Sequence, residues 1–256
     1  MSVEVVIMQS TRTFGKSFPG MKWAIESAAA TGHGVAVVDE FPCAAVDEFR
    51  KHYRHTSNNG LPFERWCFEQ WFLLADWMEK NGKELVFVMD SDVLLFANLS
   101  PVLEQVRSKL TLATARPTGA RFITREGARV IADYYMEVFK ARREVQASQD
   151  PRMVSDGNVI NPQLERLGQP MLEGWFHEWN ICHSLYLMLP GASQFEGHRD
   201  IVFADGIPYW FRYEQPVKMA TVHCWGKAKQ KMETIWKQSR ESLGGKMRRL
   251  CLEPQP

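Results

Sequence analysis

The chain has 256 residues, a net charge of +1, 45% hydrophobic and 24% charged residues, 17 glycines and 13 prolines. This is a globular composition, and it excludes collagenous, low-complexity and disordered chains. At this length roughly 70–75% of the unfolded surface can be buried, so a core forms without disulfide or metal staples.

Residues 3–8 are apolar and β-branched, a buried strand that ends at the polar Gln9, Ser10 and Thr11. Glu4 and the lack of a basic lead exclude a signal peptide there, and no apolar run reaches the ~20 residues of a membrane span. Pro19 and Gly20 open a helix that runs to Ala30 and is closed by Gly32 and Gly34. Residues 35–38 form a second strand, ending at Asp39. Strand, helix, strand at this spacing predicts a parallel α/β sheet. Residues 52–60 read as a loop. Over 63–80, Phe63, Cys67, Trp71, Leu74 and Met78 share one helical face, and Asn81 and Gly82 stop the helix.

The run 85–89 is continuously apolar, the mark of a strand buried on both faces, and it ends in Asp90, Ser91 and Asp92. Residues 110–115 and 121–123 are weaker strands, 125–142 a helix and 143–158 a polar loop. An irregular, aromatic stretch follows, then a strand over 217–223. A basic amphipathic helix closes the chain over about 227–256. There is no internal repeat and no biased linker, so a single domain is expected over 1–256. The five cysteines are scattered, odd in number and without a CxxC pair. They argue against a disulfide framework or structural zinc and for a reducing, cytoplasmic setting. Eight Lys or Arg against two Glu between Lys227 and Arg249 suit an anionic acceptor or a membrane surface.

In open α/β sheets, ligands bind beyond the carboxyl ends of strands. Asp90 and Asp92 stand there, two residues apart and so pointing the same way. Two convergent carboxylates repel unless a cation lies between them. Their hard oxygens suit Mn²⁺ or Mg²⁺, which bridge to substrate phosphates. His223 can complete such a site as a neutral imidazole, and Lys229 can meet a phosphate as a point charge. His52, His55 and His177 lack metal-like spacing, and Asp205 with Gly206 reads as a turn.

His223, Gly226 and Lys229 read H-x-x-G-x-x-K. With D-x-D upstream, this resembles the family 8 glycosyltransferases, the glycogenin-like and bacterial galactosyltransferase-like enzymes. Residues 156–161 are similar to that family's D-Q-D-x-L-N segment, with Gly157 for Gln and Asn158 for the second Asp. Trp179 and Asn180 resemble its later aromatic-Asn pair. The stretch 63–99 resembles its approach to D-x-D, with Arg65 where a donor-contacting Lys is usual. Pro117, Thr118 and Gly119 stand near its Asn-Ser-Gly, and Gln230 and Lys231 replace Pro-Trp after Lys229.

The resemblance implies a single GT-A-like, Rossmann-like domain with a mostly parallel central sheet flanked by helices. It implies a hexosyltransferase moving sugar from a UDP-sugar to an acceptor hydroxyl, with the family's retention, or with Asp156 deprotonating the acceptor if the reaction inverts. Asp90, Asp92 and His223 would hold the metal. Gln9, Ser10, Thr11, Arg65, Ser91, Gly226 and Lys229 would bind the donor. Asp156 and Asn158 would stand at the reacting centre, and Trp175, Trp179, Asn180 and Trp210 would meet the acceptor: a glycan, a lipid-linked sugar, a protein or a modified nucleic acid. A haloacid-dehalogenase-type phosphatase ranks lower, because Leu94 stands where its pattern asks for Thr or Val. A nucleotidyltransferase ranks lower too, since residues 11–16 only faintly echo its Gly-rich basic loop. The last alternative is a non-catalytic sugar- or nucleic-acid-binding relative.

Overall fold

The computed structural model describes residues 3–15, 18–101, 103, 107, 119–143, 179–180, 183–186, 200–212 and 215–251. The predicted strands at 110–115, the segment 144–158 with Asp156 and Asn158, and Trp175 lie outside the described residues. A four-stranded sheet orders β2 (Val35–Val38), β1 (Glu4–Met8), β3 (Leu85–Asp90) and β5 (Ala120–Thr124). β1 runs parallel to β2 and β3, and β5 is antiparallel to β3. The chain is therefore α/β with a mostly parallel sheet, as the strand-helix-strand spacing predicts.

Alternation along β1 explains its unbroken apolar run. Val5 and Ile7 pack on one face with Phe87, Met89 and α2 (Met21–Ala30). Val6 and Met8 pack on the other with Val86, Val88 and three helices: α3 (Ala44–His52), α4 (Leu61–Lys80) and α5 (Arg125–Lys140). Both faces are covered, so both sets of side chains are apolar. Phe49, Phe68, Tyr135 and Phe139 interlock between these helices, with Phe68 edge-on to Tyr135 at 4.9 Å. Helix α3 had no clear sequence signal. In α4 the buried face is wider than one stripe, and Phe63 is exposed rather than buried. Phe63 stands on the outer side of the first turn, while the adjacent Glu64 is buried.

The stretch expected to be irregular contains paired strands instead. β8 (Asp200–Ala204), β9 (Ile207–Arg212) and β10 (Gln215–Met219) form an antiparallel meander, with β6 (Trp179–Asn180) beside β10 and β12 (Arg248–Cys251) beside β8. The single strand expected at 217–223 is two strands, β10 and β11 (Thr221–Trp225), separated at Ala220. β11 lies between β4 (Val93–Leu95) and β7 (His183–Tyr186). The basic C-terminal segment is not one helix. It runs as a 3-10 turn (Gly226–Lys231), α6 (Met232–Glu241), a glycine turn and β12. Gly244 and Gly245 adopt positive φ, which a continuing helix does not. Asp205 and Gly206, both at positive φ, make the predicted turn between β8 and β9. No helix among the described residues is long and apolar enough to cross a membrane.

His33, just after α2, ties the first sheet to the segment beyond β4. Its buried Nε2 accepts the Leu99 N–H at 2.8 Å, so the ring is neutral. Burial holds its pKa below the ordinary value, and the nearby Val3 backbone offsets this only in part. A folded pKa below the unfolded ~6.5 means stability that is full above that pH and lost as pH falls below it. The stability advantage of wild type over His33→Gln is therefore expected to shrink from pH 7.5 to 5.5, as read by urea unfolding.

Candidate functional site

β3 ends at Asp90, and a turn through Ser91 and Asp92 carries the chain out of the first sheet into β4. β4 pairs with β11, placing Val93 opposite His223. The Asp92 carbonyl accepts the Cys224 N–H at 2.8 Å, and Leu95 N–H donates to Ser27 Oγ of α2 at 3.0 Å. These bonds lock the D-x-D turn against the strand that carries the histidine. The 3-10 turn then brings Lys229 back over the aspartates.

Asp92 is buried, and both its oxygens are engaged. Oδ1 lies 3.2 Å from His223 Nε2, and Oδ2 lies 2.8 Å from Lys229 Nζ. Lys229 Nζ also stands 5.3 Å from the centre of the Phe18 ring. One ligand atom each from Asp90, Asp92 and His223 fall within 4.8 Å of one another. Two carboxylate oxygens and an imidazole nitrogen at that spacing fit a hard or borderline divalent cation. Burial would raise the Asp92 pKa, but its bonds to His223 and Lys229 hold it below the ordinary value. Burial would lower that of His223, but the bond to Asp92 and the charges of Asp92 and Asp90 raise it instead. The site is thus built to hold charge out of water.

The structure brings together Asp90, Asp92, His223 and Lys229, the core of the predicted set. Gln9, Ser10 and Thr11 sit at the carboxyl end of β1, as expected, but their side chains are tied to the end of β2. Gln9 Nε2 donates to Asp39 at 3.2 Å, the Thr11 N–H donates to Asp39 at 2.9 Å, and the Thr11 hydroxyl also donates to Asp39. The Ser10 hydroxyl donates to Glu40, as does the Thr13 N–H at 3.0 Å. Asp39 and Glu40, outside the expected site set, clamp this loop. Their signal was available: Asp39 closes a strand parallel to β1, so the two ends meet.

Arg65 pairs with buried Glu69 at 3.0 Å, and Arg50 grips the same carboxylate through two bonds of 2.6 Å. Arg50 in turn lies 3.7 Å from Glu40. Arg65 therefore belongs to an ionic chain that leads to the Asp39–Glu40 clamp. Ser91 occupies the middle of the D-x-D turn, and Gly226 opens the 3-10 turn. Trp179 and Asn180 form β6, and Trp210 stands on β9 opposite Val217 and Ile201. Gly119 was also undervalued. It immediately precedes β5, its carbonyl accepts the Asp90 N–H at 2.6 Å, and its backbone lies against the His223 ring.

No family model matches the chain, and no curated protein matches it. Among solved structures, the fold is similar to that of a glycosyltransferase involved in the glycosylation of the major capsid of PBCV-1, at 10% identity over 92% of this chain and 99% of that one, with a TM-score of 0.45. It is also similar to mouse xyloside xylosyltransferase 1, at 10% identity, 72% and 88% coverage and a TM-score of 0.44. A third is the glycosyltransferase GlyE of Streptococcus pneumoniae TIGR4, at 14% identity, 67% and 44% coverage and a TM-score of 0.41.

The Asp92 contacts set an expectation for histidine titration. In EDTA, the His223 ring is expected to titrate above pH 6.5 by NMR. In Asp92→Asn the attraction goes while burial stays, so the midpoint is expected to fall below the wild-type value. An unmoved midpoint contradicts the pairing.

Proposed function

We propose that this chain is a metal-dependent glycosyltransferase that moves a hexosyl group from a UDP-sugar to an acceptor hydroxyl, as one domain in the cytoplasm. The observation that carries the reading is Asp90, Asp92 and His223 converging at a strand end with Lys229 on Asp92. The order of D-x-D and H-x-x-G-x-x-K, resembling family 8 glycosyltransferases, points from metal binding to glycosyl transfer.

Asp90, Asp92 and His223 would hold Mn²⁺ or Mg²⁺. When bound, the ion supplies Lewis-acid neutralisation of the diphosphate on which negative charge develops as the glycosidic bond breaks. Lys229 sits 2.8 Å from an Asp92 oxygen, where its ammonium adds a second positive charge for that leaving group. Gly226, without a side chain, opens the turn that delivers Lys229 and permits close backbone approach to a phosphate. Gln9, Ser10, Thr11 and Ser91 border the nucleoside side of the crevice in this reading, and Arg65 supports it through Glu69. Asp156 with Asn158 is proposed for the reacting centre, with the family's retaining outcome. Trp175, Trp179, Asn180 and Trp210 are proposed for the acceptor, and the basic C-terminal residues for an anionic acceptor or membrane surface.

Thermal shift with UDP, GDP, CDP, ADP and TDP, each with and without Mn²⁺, tests the donor. A ligand at 100 times its Kd stabilises by about 2.7 kcal/mol. UDP is expected to shift wild type only with Mn²⁺ and not to shift Asp92→Asn. No shift with any nucleotide and metal overturns the reading in favour of a phosphatase or a binding module. Lys229→Met is expected to weaken UDP binding by roughly 10- to 100-fold, the scale of one lost charge-assisted bond. Isothermal titration with UDP in saturating Mn²⁺ checks this.

A further inference from the structure

We propose that Gly119 is a positioning residue for His223, holding the imidazole in the orientation the cation site requires. Gly119 adopts φ +99°, a conformation that residues with a side chain rarely take. A Cβ built there would stand 2.8 Å from His223 Nδ1 and 3.1 Å from both Cγ and Cε1. Nearly equal distances to Nδ1 and to both its ring neighbours put that position over the ring face, above Nδ1, so the bare backbone of Gly119 is stacked on one face of the imidazole. At the ring's other nitrogen, Nε2 faces Asp92 Oδ1 at 3.2 Å. The buried ring thus has a glycine backbone against one face and a carboxylate at Nε2, so the close approach at 119 sets the ring plane in which Nε2 meets Asp92.

The same glycine also reaches Asp90. Its carbonyl accepts the Asp90 N–H at 2.6 Å, and the next residue, Ala120, pairs with Met89 in the β3–β5 ladder. A side chain at 119 therefore has two ways out. The ring can turn off Asp92, or the start of β5 can retreat and drop the Asp90 bond. Either one separates the three groups that converge within 4.8 Å. Outer-shell changes of this kind cost about 10- to 100-fold in metal affinity. Gly119 is neither a ligand nor a substrate contact in this account; it acts through His223 and Asp90.

The metal consequence rests on the proposed cation site, while the packing does not, so the experiment separates them. Gly119→Ala is made in wild type and in His223→Ala, and Tm is read in EDTA for all four proteins. If Gly119 packs on the ring, Gly119→Ala lowers Tm less once the ring is gone. An equal or larger drop in the His223→Ala background overturns the proposal. Should Gly119→Ala alone not fold, recovery of folding in the double variant supports the proposal and continued failure overturns it. Mn²⁺ titration then reads the site directly by electron paramagnetic resonance. Folded Gly119→Ala is expected to bind Mn²⁺ at least about tenfold more weakly than wild type. Wild-type affinity in a folded variant overturns the positioning role. If wild type itself binds no Mn²⁺, the cation site fails, and the Tm comparison still decides the packing.

Discussion

A carboxylate buried as deeply as Asp92 is costly to keep ionised unless its charge is met. His223 and Lys229 meet it from two sides, one to each oxygen. The local architecture follows from that requirement. The chain must leave the central sheet at Asp90, turn, and enter β4 so that Asp92 lies against β11. The strand must present His223 at that register, and the 3-10 turn must follow at once so that Lys229 can fold back. Asp92 therefore joins two backbone segments far apart in sequence, its own turn and the β11 strand with the 3-10 turn that follows it, and it does so where the parallel strands end.

Charge placement at this end of the sheet is graded. At the carboxyl ends of β1 and β2, Asp39 and Glu40 collect hydroxyl and N–H donors from the first loop. Burial would raise the Glu40 pKa, but its bonds from Ser10 and Thr13 and the charge of Arg50 hold it low. Beneath it, Arg50 and Arg65 share Glu69. Each of these carboxylates has its own partners within the clamp or the ionic chain. Half-buried Asp90 and buried Asp92 instead converge with a buried imidazole and a half-buried ammonium. Only that second group has the convergent hard ligands of a cation site.

Much of this was legible from residue pattern. The apolar runs at 3–8 and 85–89 gave the central parallel strands, because strands covered on both faces leave no room for polar alternation, and the run at 35–38 gave the edge strand β2 even though Val37 is exposed on it. D-x-D and His223 were visible as chemistry, and strand-end placement made them neighbours. Other features were hidden for physical reasons. Helix α3 has a mixed composition whose apolar contacts, Val46 and Phe49, are too few to show a periodic stripe. The β8–β10 meander carries polar and aromatic residues with Pro208 and Pro216 inside strands, which obscures strand pattern. The basic run at the C terminus reads as one helix only when its charges alone are followed; Gly244 and Gly245 were a legible stop of the same kind as Gly82. Gly119 was hidden because a missing side chain gives no signal until the ring it faces is in place.

The central claim is that Asp90, Asp92 and His223 hold a divalent cation that carries a nucleoside diphosphate. Electron spin echo modulation of protein-bound Mn²⁺ reads the ligands themselves. The account predicts imidazole nitrogen modulation in wild type, its loss in His223→Gln, and a new phosphorus coupling when UDP is added. Mn²⁺ bound without imidazole nitrogen, or with no phosphorus coupling at saturating UDP, would contradict it.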